Sequence, residues 1–216
     1  ALLMLVADGM GGHLHGEMAA QTALQFITQA FRREAKPGLS DPGAFLRQAI
    51  IGAHRAIIQS ADDAGLAEAP RTTCVACVVQ DNTARWAHAG DSRLYHIRDG
   101  RILAQTKDHS LVQQLIDRGR ISEEAVAAHP QRNRIFNCLG SATPPRVDLS
   151  EPVRVDAGDT LILCSDGLWS PLSAKILGSE VQKSGIMQAV PELLDEAERR
   201  AGRACDNLSA IALTWE

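Results

Sequence analysis

Four aspartates stand where a hydrophobic run stops or starts: Asp8 after Leu2-Leu3-Met4-Leu5-Val6-Ala7, Asp166 after Leu161-Ile162-Leu163-Cys164-Ser165, Asp91 after His88-Ala89-Gly90, and Asp206 ahead of Asn207-Leu208-Ser209-Ala210-Ile211. A carboxylate at the rim of a buried strand loses hydration, and several gathered at one sheet edge repel one another unless cations lie between them. Hard oxygen donors without nearby thiolate or imidazole pairs suit Mg²⁺ or Mn²⁺ rather than Zn²⁺. Two such ions about 4 Å apart activate a water and neutralise the charge of a phosphoryl transition state. A single Asp-Gly is ordinarily just a turn, but four aspartates at strand ends are a pattern that turns alone do not account for. Cysteine chemistry does not compete: Cys74, Cys77, Cys138, Cys164 and Cys205 all lack an Arg six positions on, so none begins a Cys-x₅-Arg phosphate loop.

The elements that must position these residues follow from periodicity. Leu2 to Ala7 is a continuous apolar run and reads as a central strand buried on both faces. Ala20, Leu24, Ile27 and Phe31, then Leu46, Ile50, Ala53 and Ile57, recur at helical steps and predict two amphipathic helices separated by Pro37-Gly38. Residues 72–79, 84–89, 94–98 and 102–106 are short, partly alternating segments divided by Asp81-Asn82, Gly90 and Asp99-Gly100, and read as an antiparallel meander. Helical pieces are expected at 111–117 and 122–128, strands at 160–164 and 208–215, and a helix through Ile186, Val190, Leu193 and Ala197. Strands in runs and helices in groups indicate α+β layers, not a doubly wound parallel sheet.

Composition narrows the partners. The chain has 216 residues, 45% apolar, 22% charged and 4% aromatic, as one soluble globular domain would. Its 22 Lys+Arg against 26 Asp+Glu leave a net charge of −4, which argues against a general nucleic-acid binder. No run approaches the roughly 20 apolar residues of a membrane span, and residues 1–7 lack the form of a signal peptide, so the expected location is cytoplasmic. An odd count of five dispersed cysteines reads as reduced thiols. On a strand, Cys74 and Cys77 point to opposite faces and belong to the core rather than to a metal or redox pair. The glycine-rich Gly9 to Gly12 lacks the Lys-Ser/Thr of a P-loop. His13, beside that turn, is the one histidine whose position suggests a site role, whereas His88 and His96 fall on strands and read as structural. Lys107, Arg118, Arg120, Arg132 and Arg134 form a basic run, either a solvated face or a grip for phosphopeptide.

The segments Asp8-Gly9-Met10-Gly11-Gly12-His13, His88-Ala89-Gly90-Asp91-Ser92-Arg93, Cys164-Ser165-Asp166-Gly167 and Asp206-Asn207 resemble, in order, the motifs of the metal-dependent protein Ser/Thr phosphatases, the protein phosphatase 2C-like (PPM) family. Residues 106–112 and 129–132 resemble its bacterial stand-alone members. The resemblance implies a four-layer α-β-β-α sandwich of two antiparallel sheets flanked by helices, a single catalytic domain over 1–216 with a flap at about 107–145, and a dinuclear Mn²⁺ or Mg²⁺ centre with room for a third ion. By position, Asp8 bridges the two metals, the Gly9 carbonyl ligates one, Asp166 and Asp206 hold the other, and Asp91 joins Asp166 at the third. The implied catalytic groups are Asp8, Asp166 and Asp206. The implied reaction is hydrolysis of phosphoserine and phosphothreonine by a metal-activated water, with no phospho-enzyme. The implied partners are phosphorylated proteins, substrates of a cognate Ser/Thr kinase, handled by a monomer that binds neither nucleic acid nor membrane.

The sequence departs from that pattern in three places. An Arg that grips the substrate phosphate and an Asn-Glu-Asp motif are expected upstream, in a segment of roughly 30 residues that the sequence lacks, along with its strand. Many eukaryotic members carry a His directly after the Asp-Gly, where this chain has Met10. The usual Gly-Thr-Thr opening the second strand reads Arg71-Thr72-Thr73. Two rival readings remain at this stage, a non-catalytic pseudophosphatase that binds without turnover and a phosphohydrolase for a small metabolite. Retention of Asp8, Asp91, Asp166 and Asp206 speaks against the first.

Overall fold

Two tight turns are built at positions that favour short polar residues or glycine. Asp81 and Asn82 (φ 51° and 55°) and Asp99 and Gly100 (φ 48° and 71°) place pairs of residues in the left-handed region, the requirement of a two-residue hairpin that follows the twist of its strands. Each closes a pair of antiparallel strands: β2 (Cys74–Gln80) on β3 (Thr83–Ala89), and β4 (Arg93–Arg98) on β5 (Arg101–Gln105). The structure, a computed structural model, describes residues 1–10, 15–122, 125–126, 129–202 and 207–216. The chain forms two compact units, 1–92 with 137–154 and 93–136 with 155–216.

In the first unit β1 (Leu2–Val6) pairs with β2, β2 with β3, and β3 with the short β6 (Asp148–Leu149) and β7 (Val153–Arg154). Helices α1 (Gly16–Glu34) and α2 (Pro42–Asp63) supply its core through Ala19, Ala23 and Ile27 and through Leu46, Ile50, Ala53 and Ile57, packed with Cys74, Ala76 and Val78 of β2. The Asp41 carboxylate accepts the Ala44 N–H at 2.9 Å and caps α2, with Pro42 in the first helical turn. β1 departs from its expected place. Among the described strands it pairs with β2 alone, its burial alternates, and Leu2 is 42% exposed; the strand with six consecutive buried residues is β2. An apolar run shows that both faces of β1 meet protein in part, not that a strand lies on each side of it.

In the second unit the order is β5-β4-β8-β9, with β8 at Thr160–Cys164 and β9 at Ala210–Thr214. Its helices are α3 (Leu111–Asp117), α4 (Asp166–Trp169), α5 (Ala174–Ser184) and α6 (Ile186–Ala201). Tyr95, Ile97, Ile162 and Cys164 from the sheet pack with Leu168, Leu177, Val181, Ala189, Leu193 and Ala197 from the helices. α5 was not anticipated, and the helical piece expected at 122–128 falls partly outside the described residues. The expected four-strand meander is two hairpins in two different sheets: β3 continues to β6 and β7, and β4 to β8. The chain changes sheet at Gly90-Asp91-Ser92, where Gly90 takes φ 116° and a Cβ would lie 2.6 Å from the Thr73 Cβ, so the link cannot be drawn as another hairpin turn. Two antiparallel sheets with grouped helices make the fold the α+β class expected. No described helix is long and apolar enough to cross a membrane.

The second unit also buries a polar cluster. Asp159, 1% exposed, accepts Arg98 Nε at 2.6 Å and Nη2 at 2.8 Å, contacts His96 Nε2 at 2.8 Å and takes the Asp156 N–H at 3.0 Å. The Arg98 hydrogen bond, against the opposing effect of burial, holds its carboxyl well below the usual carboxylate range. A depressed carboxylate adds stability that is complete above its unfolded value of about 4 and is lost as pH falls toward the folded value. In metal-free buffer, the stability gap between wild type and Asp159→Asn should therefore narrow steadily from about pH 5 to pH 2. Urea midpoints across that range measure it, and a gap that does not change with pH would show that Asp159 is not ionised in the folded state.

Candidate active site

Asp8, Gly9 and Asp91 are gathered by three residues at the start of the second strand. The Asp8 carbonyl accepts the Thr73 N–H at 2.9 Å and the Thr72 hydroxyl at 2.9 Å, and the Asp8 N–H donates to Thr73 Oγ1 at 3.3 Å. Gly9 bridges to Thr72, and the Met10 N–H donates to the Arg71 carbonyl at 3.0 Å. On its other side Thr72 pairs with Leu139, its N–H donating at 3.3 Å and its carbonyl accepting at 2.9 Å. The Thr73 hydroxyl lies 2.6 Å from the Ser92 hydroxyl, and the Thr73 side chain fills the space where a Gly90 Cβ would be. Thr73 thus touches both flanks of the buried Asp91 and the backbone of Asp8. A Cβ at Gly9 would lie 2.3 Å from the Gly16 carbonyl oxygen, so the first turn of α1 meets bare backbone there.

Asp166 belongs to the second unit, where it follows β8 and opens α4. Its loop is tied to the segment entering β9: the Ser165 N–H donates to the Ser209 carbonyl at 3.0 Å, the Ser209 N–H to Ser165 Oγ at 3.1 Å, and Ser165 Oγ to the Asn207 carbonyl at 3.1 Å. A Cβ at Gly167 would stand 2.5 Å from that same Asn207 oxygen, which leaves glycine as the residue that fits. Asp206 and His13 lie outside the described residues.

Arg93, two positions after Asp91, is fixed from three directions. Its Nε and Nη2 donate to the two oxygens of Asp108 at 2.8 Å each, its Nη1 donates to the Tyr95 hydroxyl at 3.1 Å, and its guanidinium lies 3.5 Å over the Trp169 ring. Burial works against its charge, but the Asp108 and Tyr95 contacts outweigh it and hold Arg93 well above the usual guanidinium value. Because Trp169 ends the helix that Asp166 begins, this cluster ties the Asp166 turn to β4. Thr72-Thr73, Arg93 and Asp108 all lie in segments that the sequence marks by resemblance, but the hydrogen bonds of the threonines to Asp8 and Ser92 and the Arg93–Asp108–Trp169 cluster were not foreseen.

The four described cysteines are free and buried. Burial pushes the thiols of Cys74, Cys77 and Cys164 up to about 12, which leaves them protonated and unreactive. Cys74 packs in the first core with Ala76 and Val78, while Cys77 faces the other way, as the strand register requires. Lys107, Arg118, Arg120, Arg132 and Arg134 are all exposed, as a solvated face would be.

The protein phosphatase 2C family profile matches residues 1–201. A protein phosphatase 2C-type protein of Streptococcus pyogenes is 36% identical over 98% of this chain and 84% of its own length. The serine/threonine protein phosphatase PstP of Mycobacterium tuberculosis is 35% identical over 98% of this chain, which spans 40% of the longer PstP sequence. The crystal structure of the PstP catalytic domain in complex with two manganese ions superposes with a TM-score of 0.81 at 32% identity, covering 97% of this chain and 86% of that one. On the motif order, the two antiparallel sheets and this likeness over nearly its whole length, the chain belongs to the protein phosphatase 2C family of metal-dependent serine/threonine protein phosphatases.

Proposed function

We propose that residues 1–216 work as one catalytic domain in which Asp8, the Gly9 carbonyl, Asp91, Asp166 and Asp206 hold Mn²⁺ or Mg²⁺ and dephosphorylate phosphoserine and phosphothreonine on proteins. The donor set fits such ions: it is carboxylate and carbonyl oxygen throughout, and the Gly9 backbone stands clear of side chain. The observation that carries the assignment is that Thr73 holds the Asp8 backbone and both flanks of Asp91 together. When bound, the ions supply an ionised water near neutral pH and positive charge for the phosphoryl oxygens. The role of the chain is to hold the carboxylates in place and oriented before substrate arrives. Met10, directly after the Gly9 carbonyl, carries no proton to give, so the leaving oxygen takes its proton from water or from a different group.

The substrates of this reading are phosphoproteins made by a cognate Ser/Thr kinase, and the working form is a cytoplasmic monomer. The test is hydrolysis of a phosphothreonine peptide against a nucleotide monophosphate, with Mn²⁺ and with EDTA. Mn²⁺-dependent turnover of the peptide, abolished by EDTA, is expected; preference for the nucleotide would replace the protein substrate with a small metabolite.

Asp91 gives a sharper result. An ion held by so few protein oxygens keeps most of its water and binds weakly. Asp91→Ala should retain two metal ions per chain by elemental analysis yet lose about tenfold or more in peptide turnover. Full turnover at saturating Mn²⁺ would return Asp91 to the role of a turn residue.

A further inference from the structure

The residue that replaces the expected glycine at the start of the second strand is a cation whose backbone pairs next to the candidate ligands Asp8 and Gly9. Arg71 accepts the Met10 N–H through its carbonyl, one step along the chain from the Thr72–Gly9 bridge and two from the Thr73 hydrogen bonds to Asp8. In extended backbone, residues two apart share a face, so the Arg71 side chain leaves on the side of Thr73, whose hydroxyl meets Ser92 beside Asp91. Burial raises the Cys138 thiol, the Arg71 charge lowers it and the Asp91 charge raises it further. Yet the guanidinium is not spent on the protein. Its Nε is buried without a hydrogen-bond partner, and among the described residues Arg71 forms no ion pair. A buried donor left unsatisfied costs stability unless a ligand meets it. A planar fork of donors beside a carboxylate-rich metal site matches one ligand class, a phosphate dianion.

We propose that Arg71 is a substrate-binding residue that takes the phosphoryl oxygens of the phosphoserine or phosphothreonine substrate, and the inorganic phosphate product, from the strand that frames Asp8 and Asp91. This rests on the active-site assignment above. Arg71 stands three residues ahead of β2. Because the contact is made to the phosphoryl group both before and during reaction, it contributes to binding more than to the rate of the bound complex.

The experiment compares wild type, Arg71→Ala, Arg71→Lys and Arg71→Gly in the full chain, reading peptide KM and kcat with Mn²⁺, inhibition by inorganic phosphate, and phosphate binding by calorimetry with and without Mn²⁺. Arg71→Ala and Arg71→Gly should raise KM and the phosphate inhibition constant about tenfold or more, with a smaller change in kcat. Arg71→Lys should fall between, keeping the charge but not the fork. Melting temperatures should stay at or above the wild-type value, because an unsatisfied buried donor has been removed. KM and phosphate binding within twofold of wild type in Arg71→Ala would overturn the proposal, as would loss of kcat and melting temperature with KM unchanged. A wild type without turnover whose calorimetric phosphate binding is still lost in Arg71→Ala would refute the active-site reading and leave the phosphate site standing.

Discussion

Replacing Asp8 by alanine is expected to cut turnover of a phosphothreonine peptide by about a thousandfold or more while the urea midpoint stays near that of wild type. The two halves of that expectation come from different atoms. The main chain of Asp8 is tied into the fold: its carbonyl accepts from Thr73 N and Thr72 Oγ1, and its N–H donates to Thr73 Oγ1. Alanine keeps all three. What the reaction takes is the carboxylate, which alanine removes. Asp166→Ala should behave similarly, since the Ser165, Asn207 and Ser209 hydrogen bonds that fix its turn do not involve the Asp166 carboxylate. Elemental analysis then separates the causes: metal content should fall in both variants. Near-normal Mn²⁺-dependent hydrolysis by either would remove it from the site.

The sites of chemistry were legible in the sequence because they are anomalies of pattern. An aspartate closing Leu-Met-Leu-Val-Ala or Leu-Ile-Leu-Cys-Ser is out of place in a strand and visible without a structure. The frame that gathers them was not legible, because it consists of hydrogen bonds between residues some 65 positions apart, such as Asp8 with Thr73. Threonine pairs at a strand start look the same whether they meet solvent or a site.

Periodicity set similar limits on the fold. It located strands 83–89 and 93–98 closely, but alternation within a strand carries no information about which sheet the strand joins, so Gly90-Asp91-Ser92 read as one more turn of a meander. The same limit applies to β1, whose apolar run was compatible with a neighbour on either side. α5 escaped notice because its buried residues are few: Leu177, Gly178 and Val181 contribute one turn and a half of apolar stripe, among Ser179, Glu180 and Gln182. Asp159 was passed over for the opposite reason. Asp-Thr before a strand looks like a turn, and only the structure shows the carboxylate turned inward to Arg98 and His96.

Asp108→Ala should be the most destabilising of the substitutions considered, by about 3–5 kcal/mol, the usual effect of removing one partner from a buried ion pair. Asp108 is 3% exposed at its side chain and Arg93 18%, so the guanidinium left behind loses both of its charged hydrogen bonds with little access to water. The Tyr95 hydroxyl and the Trp169 face remain, but neither neutralises a charge. Most of the loss is therefore the cost of the stranded Arg93 rather than the worth of the pair. That account makes a second claim: Arg93→Met with Asp108→Leu, which removes both charges and refills the volume, should recover most of the stability that Asp108→Ala loses. The rate should not recover with it. Trp169, released from the guanidinium, no longer ties the far end of α4 to β4, and the Asp166 carboxylate at the near end loses its fixed aim; the double variant should bind Mn²⁺ more weakly and turn over more slowly at a near-native urea midpoint. An Asp108→Ala midpoint equivalent to less than about 1 kcal/mol of loss would mean that water reaches Arg93, and native Mn²⁺ affinity in the double variant would mean that Asp166 is positioned by its Ser165 and Asn207 contacts alone.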